Sequence, residues 1–189
     1  MRVWNICNPH PEVIEGRLRE DDFVVNVGAV WERLELGKEQ IHVNERYIDP
    51  NKFVERTYFT GNMRDLISTV AKKLRGINVQ SIHHLKVAMG GGKSHTLLLL
   101  YYMVKRKDIR SALEKEGIDA SIPENSRVVV IDGQRIDPVI GYEPLRVKTM
   151  WALLLKLLDY PEYEKYDNWD TAPAVPVLRE ALSHRPTLI

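Results

Sequence analysis

"KVAMGGGKSHTLLLL", residues 86–100, joins a glycine-rich turn to an apolar run, and its reading decides the fold. A phosphate loop of the G-x-x-x-x-G-K-[ST] kind needs a buried strand, a tight glycine turn and a helix whose first turn presents backbone N–H groups. Glycines are needed where the backbone wraps around phosphate oxygens, partly at positive φ, because a Cβ there would clash. Gly92, Lys93 and Ser94 fill the last three places of the pattern. Lys93 then reaches the β- and γ-phosphates of a nucleotide, and the Ser94 hydroxyl binds Mg2+. The first-glycine place is held by Val87, and Gly90 and Gly91 take over its conformational task later in the loop. The alternative is a flexible hinge before a buried helix. Three glycines are a poor helix start unless their N–H groups serve a ligand, and Lys-Ser follows at the right place.

Around this turn, "SIHHLKVA" from Ser81 reads as the strand, Met89 to Gly92 as the turn and Lys93 to Lys105 as the helix. The helix is apolar nearly all round, as expected of one wedged between a sheet and other helices. His83 and His84 are neighbours in the expected strand, so they point to opposite faces and share no metal site. Further on, Val128 to Ile131 form a β-branched run of the buried parallel-strand kind, delivering Asp132 to the carboxyl edge of a sheet.

Asp132 reads in two ways. It is the Walker B acid on Mg2+, with Gly133 where ATPases place a catalytic Glu, giving a site that binds but hydrolyses poorly. Otherwise this is only a second sheet strand and the acids lie elsewhere. "HRPTLI" at the end, where a helix stop meets a fresh β-type run, favours the second reading. An acidic pair is then expected after Ile189, in a longer chain. The fold class expected is α/β, a P-loop NTPase with three layers around a parallel sheet.

Met63, Leu66, Ile67, Val70, Ala71 and Leu74 recur at spacings of three and four and predict a helix, with Thr60 as N-cap and Gly76 as stop. Val147, Met150, Trp151, Leu154, Leu157 and Leu158 predict another, with Trp151 in the core. "YPEYEKYDNWD" reads as a wrapped surface loop, whereas "FVVNVGAV" from Phe23 is either a strand or a buried helical turn. "IDPNKF" places a soft boundary near Asp49, dividing an accessory segment, 1–49, from a P-loop ATPase domain, 50–189, incomplete at its C-terminal end.

At 44% hydrophobic and 28% charged, with a net charge of +1, the composition is that of a globular chain with no global pull toward nucleic acid or acidic membranes. The basic clusters "AKKLRG" and "KRKDIR" read as solvated helix ends. Cys7 is alone, which excludes an intramolecular disulfide, and no apolar run is long enough to span a bilayer. These features point to a cytoplasmic protein without membrane partners.

"DPNKFVERTYFTGNMRDLISTVAKKL", "MGGGKSHTLLLLYYM", "VVVIDGQRIDP", "VKTMWALLLKLL" and "RPTLI" together resemble, in order and spacing, the front part of a prokaryotic family of large predicted AAA+-type ATPases. Such proteins are often encoded near DNA adenine methyltransferases, in modification or defence clusters. The GGGK-[ST]-H-T core and "FVERTYFT" are the most specific matches. The resemblance implies that Gly91, Gly92, Lys93, Ser94, His95 and Thr96 line the phosphates of ATP, with Gly90 beside them in the turn and Mg2+ on Ser94. His95 reads equally as a phosphate contact or as a packed imidazole kept neutral by the helix N-terminus. It places the family's Asp-Glu pair, sensors, arginine finger and lid beyond Ile189, and it implies DNA or DNA-modification proteins and further copies of the chain as partners.

Other classes fit less well. The Asn-Lys of "NKFVE" precedes the loop and lacks the Asp of a guanine reader, and no kinase-type arginine lid is evident. The expectation is therefore an ATP-binding module that couples Mg·ATP to conformational work, a nucleoside-triphosphate hydrolase when complete. The alternative is a non-hydrolysing nucleotide-binding interaction domain. A nucleic-acid scaffold draws only on the two basic clusters.

Overall fold

A helix with apolar residues on every side is stable in water only if other elements surround it, and residues 93–105 are such a helix. The computed structural model of the chain describes residues 9, 11–86, 88 and 90–189. In chain order these form α1 (Pro11–Ile14), α2 (Val27–Glu35), α3 (Glu45–Ile48), α4 (Pro50–Glu55), α5 (Gly61–Leu74), α6 (Lys93–Lys105) and α7 (Lys107–Lys115). There follow β1 (Arg127–Val128), α8 (Met150–Leu157), α9 (Val175–Ser183) and β2 (Thr187–Leu188). Short polar residues start the helices by accepting the first free N–H groups. Asn26 caps α2, Asp49 caps α4, Thr60 caps α5 and Thr149 caps α8. Gly76, at φ +82°, ends α5 where the sequence places its stop.

The core is built on α6. Leu98, Leu99 and Met103 have no exposed surface, and Leu100, Tyr101, Tyr102 and Val104 are buried too. From α2 the core takes Ala29, Val30 and Trp31, from α4 Phe53 and Val54, and from α5 Ile67, Val70 and Ala71. Residues on both sides of Asp49 thus share one core. Tyr102 donates its hydroxyl proton toward the carbonyls of Tyr47 and Ile48 at the end of α3. Arg110 of α7 is buried and donates to the carbonyls of Met103 and Val104 at 3.2 and 3.3 Å, capping the end of α6. One cation of "KRKDIR" is therefore structural rather than solvated.

β1 and β2 run parallel, Arg127 opposite Thr187 and Val128 opposite Leu188. The parallel sheet of the described residues consists of this pair. Residues 81–86 carry no strand. A ladder needs a neighbouring edge, none of the described residues pairs with this segment, and its Ile82 is 82% exposed. Val87 and Met89, on which part of the strand-and-turn expectation fell, lie outside the described residues, as does Cys7.

Of the two readings of "FVVNVGAV", the buried helical turn holds for residues 27–30, which open α2 behind the Asn26 cap, while Phe23 and Val24 are exposed. In α8 the buried residues are Ala152, Leu153 and Leu155, and Trp151 stands 39% exposed rather than in the core. "MWALLLKLL" is apolar at almost every position, so its periodicity could not choose the inward side. The loop after α8 wraps as expected: Asp167 accepts from the N–H groups of Lys148 and Thr149 at 2.6 and 2.9 Å.

A buried ionic cluster ties α2 to the chain beyond β1. Glu32, 1% exposed, accepts from Arg135 Nε and Nη2, both at 2.7 Å, and from the Tyr142 hydroxyl at 2.5 Å. Burial pushes the Glu32 carboxyl up, but the Arg135 and Tyr142 hydrogen bonds outweigh it and hold it below the ordinary range. Gly28 permits this approach: a Cβ there would stand 2.7 Å from Asp132 Oδ2 and 2.8 Å from Arg135 Cδ.

The four leucines of α6 provide a test. Leu97 is 47% exposed while Leu99 has no exposed surface. Leu99→Ala is expected to cost about 3 kcal/mol in urea unfolding, and Leu97→Ala less than about 1 kcal/mol.

Candidate functional site

The turn before α6 places two glycines in the left-handed region. Gly90 and Gly92 adopt φ +79° and +76°, a region that costs most L-residues strain. A Cβ built on either glycine meets no heavy atom of the described residues within 4 Å, and Gly90, Gly91 and Gly92 are exposed. Gly91 N–H closes the turn by donating to the Ala88 carbonyl at 3.1 Å.

Gly92 is the N-cap of α6 and provides no side-chain cap for the helix N–H groups. Helical geometry therefore leaves the N–H groups of Ser94 and His95 without an intrahelical acceptor. The first turn holds no acidic residue to offset the positive end of the helix dipole. Lys93 reaches back across the turn, its Nζ donating to the Ala88 carbonyl at 3.0 Å. Ser94 is exposed beside it. The first-turn backbone donors and the side chains of Lys93 and Ser94 thus lie together at one helix end, a set of groups suited to an anionic phosphate chain with a divalent cation.

His95 and Thr96 turn the other way. The Thr96 hydroxyl donates to the Gly92 carbonyl at 2.9 Å, and the residue is buried. The His95 ring lies 4.3 Å from that of Phe53, and its Nε2 is 2.9 Å from Thr57 Oγ1. Thr57 has one hydroxyl proton and donates it to the Phe53 carbonyl at 2.7 Å. Its oxygen therefore accepts from His95, which places the proton of the neutral ring on Nε2. Of the residues expected to line phosphates, these two fasten the helix start to the body instead of facing the open turn.

Phe53 and Thr57 were not named as site residues from sequence. The signal available was the stretch "FVERTYFT", which keeps them four apart, one helical turn. Asp132 is employed locally: its side chain accepts from Gln134 N–H at 3.0 Å and packs against Gly28. Among the described residues no group of three or more His, Cys, Asp or Glu side chains is placed to hold a metal ion, and no helix is long and apolar enough to cross a membrane. A magnesium ion held by Ser94 and nucleotide oxygens needs no such group.

Burial depresses the His95 pKa below its ordinary 6.5. The folded chain then resists a proton that the unfolded chain accepts, so stability is whole above pH 6.5 and falls as the pH drops below it. Between pH 7 and 5, wild type is expected to lose more unfolding free energy than His95→Gln, measured by urea titration at each pH.

No curated protein and no solved structure matches the chain. Residues 34–189 match the model of the DUF499 N-terminal domain, a span that takes in α3 to β2 and the whole of the glycine turn, and the chain belongs to the DUF499 family.

Proposed function

We propose that this chain is the nucleotide-binding part of a P-loop ATPase of the AAA+-like kind, which uses Mg·ATP for conformational work. The observation that carries the reading is the junction at Gly92. There a left-handed glycine opens directly into a buried 13-residue helix whose first two residues are Lys93 and Ser94. A flexible hinge would not need a helix start without a side-chain cap, nor an ammonium drawn over the turn.

In this reading Gly90 to Gly92 and the first-turn N–H groups cradle the phosphates. Lys93 exchanges its Ala88 carbonyl for phosphate oxygens, and the Ser94 hydroxyl shares in holding the cation. Mg2+, when held by Ser94 and the nucleotide, would supply neutralisation of the phosphate charge. His95 and Thr96 keep the helix start in place, since a cradle works only if its backbone is held rigidly. The parallel pairing of β1 with β2 supports an α/β architecture around the loop. By resemblance, the work driven lies in DNA modification or defence, with DNA, its modifying proteins or further copies of the chain as partners.

The alternative, a nucleotide-binding interaction domain that does not hydrolyse, makes Asp132 the only acid of the magnesium site. The engagement of its carboxylate at Gln134 and Gly28 gives that reading no support.

Titration calorimetry with ATP decides the matter. Binding is expected to require Mg2+, to fall at least tenfold in Lys93→Ala, and to lose its Mg2+ dependence in Ser94→Ala. Equal ATP binding by wild type and Lys93→Ala would remove the phosphate-loop reading.

A further inference from the structure

The Glu32–Arg135–Tyr142 cluster lines a cavity of about 410 Å3, a volume in the small-molecule range. Glu32 and Tyr142, 1% and 5% exposed, form its floor. Its wall at residues 137–141 is held in place. Asp137 and Gly141 exchange backbone hydrogen bonds at 3.0 and 2.8 Å, and Asp137 Oδ1 accepts from the N–H groups of Val139 and Ile140 at 2.7 and 2.9 Å. Gly141, at φ +81°, passes so close to Val147 and Lys148 that a Cβ would strike their backbone. The cavity therefore exists before anything enters it, as small-molecule sites usually do.

The charges on the lining do not all cancel. Glu32 takes Nε and Nη2 of Arg135, which sets one negative charge against one positive. Arg135 Nη1 makes no hydrogen bond among the described residues. Lys38 adds a second cation that acts on the Glu32 carboxyl, and it forms no ion pair among the described residues. The floor thus carries one positive charge in excess. Of the two remaining acids, Asp137 turns Oδ1 to its own loop, while Glu143 is exposed and without an ion pair among the described residues. The lining also holds the amides of Gln40 and Gln134 and the apolar side chains of Ile41 and Ile140. A simple anion would satisfy Lys38 and leave Glu143 unmet, and a simple cation would do the reverse. A molecule carrying both charges makes charge-assisted hydrogen bonds to each.

We propose that this cavity binds a small zwitterion, a free amino acid or a dipeptide with an apolar side chain. Its carboxylate lies on Lys38 and Arg135 Nη1, and its ammonium on Glu143. The amides of Gln40 and Gln134 suit its polar backbone, and Ile41 and Ile140 suit its side chain. The site shares no residue with the glycine turn, so it stands apart from the nucleotide reading.

The test is calorimetry on the 189-residue chain with leucine and with Leu-Leu, each beside its N-acetylated and C-amidated forms. At least one of the two free compounds is expected to bind, and the tighter of them tells amino acid from dipeptide. Blocking either end should weaken binding about tenfold. In Lys38→Gln, amidation should cost nothing further, and in Glu143→Gln, acetylation should cost nothing further, because each variant has already removed the partner of that end. Lys38 is half-buried and Glu143 exposed, so both variants should unfold at the wild-type urea concentration. No saturable binding of either compound at about 10 mM overturns the site. So does binding that neither variant changes.

Discussion

The enclosure of α6 governs the rest of the molecule. Thirteen residues with almost no polar side can be stable only if neighbours cover the helix on all flanks. The neighbours come from distant parts of the chain: Glu35 at the end of α2 bonds to Tyr101 and Lys105, the end of α3 receives Tyr102, and Arg110 of α7 closes its final carbonyls. A helix held this way cannot tilt without breaking core contacts, so the turn at its start has a fixed direction. The glycines before it can therefore be flexible in type and still specific in place.

That enclosure explains the division of roles in the first helical turn. Successive helical residues point about 100° apart, so a short run must serve two sides at once. Lys93 and Ser94 stand at the open turn, while His95 and Thr96 are consumed in holding it. The imidazole in particular joins α6 to Phe53 of α4 and to Thr57, and burial lowers its pKa, which disfavours a positive charge on it.

A second tie, the Glu32–Arg135–Tyr142 cluster, does for the other end of the core what His95 does for the turn. A carboxylate with 1% exposure must have its charge met inside the protein, and here two guanidinium donors and a phenol meet it. The partners are more than a hundred residues apart in sequence, so the cluster locks α2 against the segment that follows β1. Gly28 is the small residue that lets the two approach.

The elements that local chemistry could specify were legible in the chain. Thr60 caps α5 and Gly76 ends it because capping and left-handed turns depend on residues within one helical turn. The extent of α6 was likewise readable from glycines on one side and an apolar run on the other. Contacts between distant residues were not readable in the same way. Nothing near His95 in sequence says that its ring meets Phe53 and Thr57, and nothing near Glu32 names Arg135. The inward side of α8 and the absence of a strand at residues 81–86 were also decided in three dimensions. An apolar helix has no periodic preference, and a strand exists only beside a partner. The sequence alone determined the glycine turn and the residues that follow it into α6. Only the tertiary structure decided which of them face it, because that depends on which sides the core has already claimed.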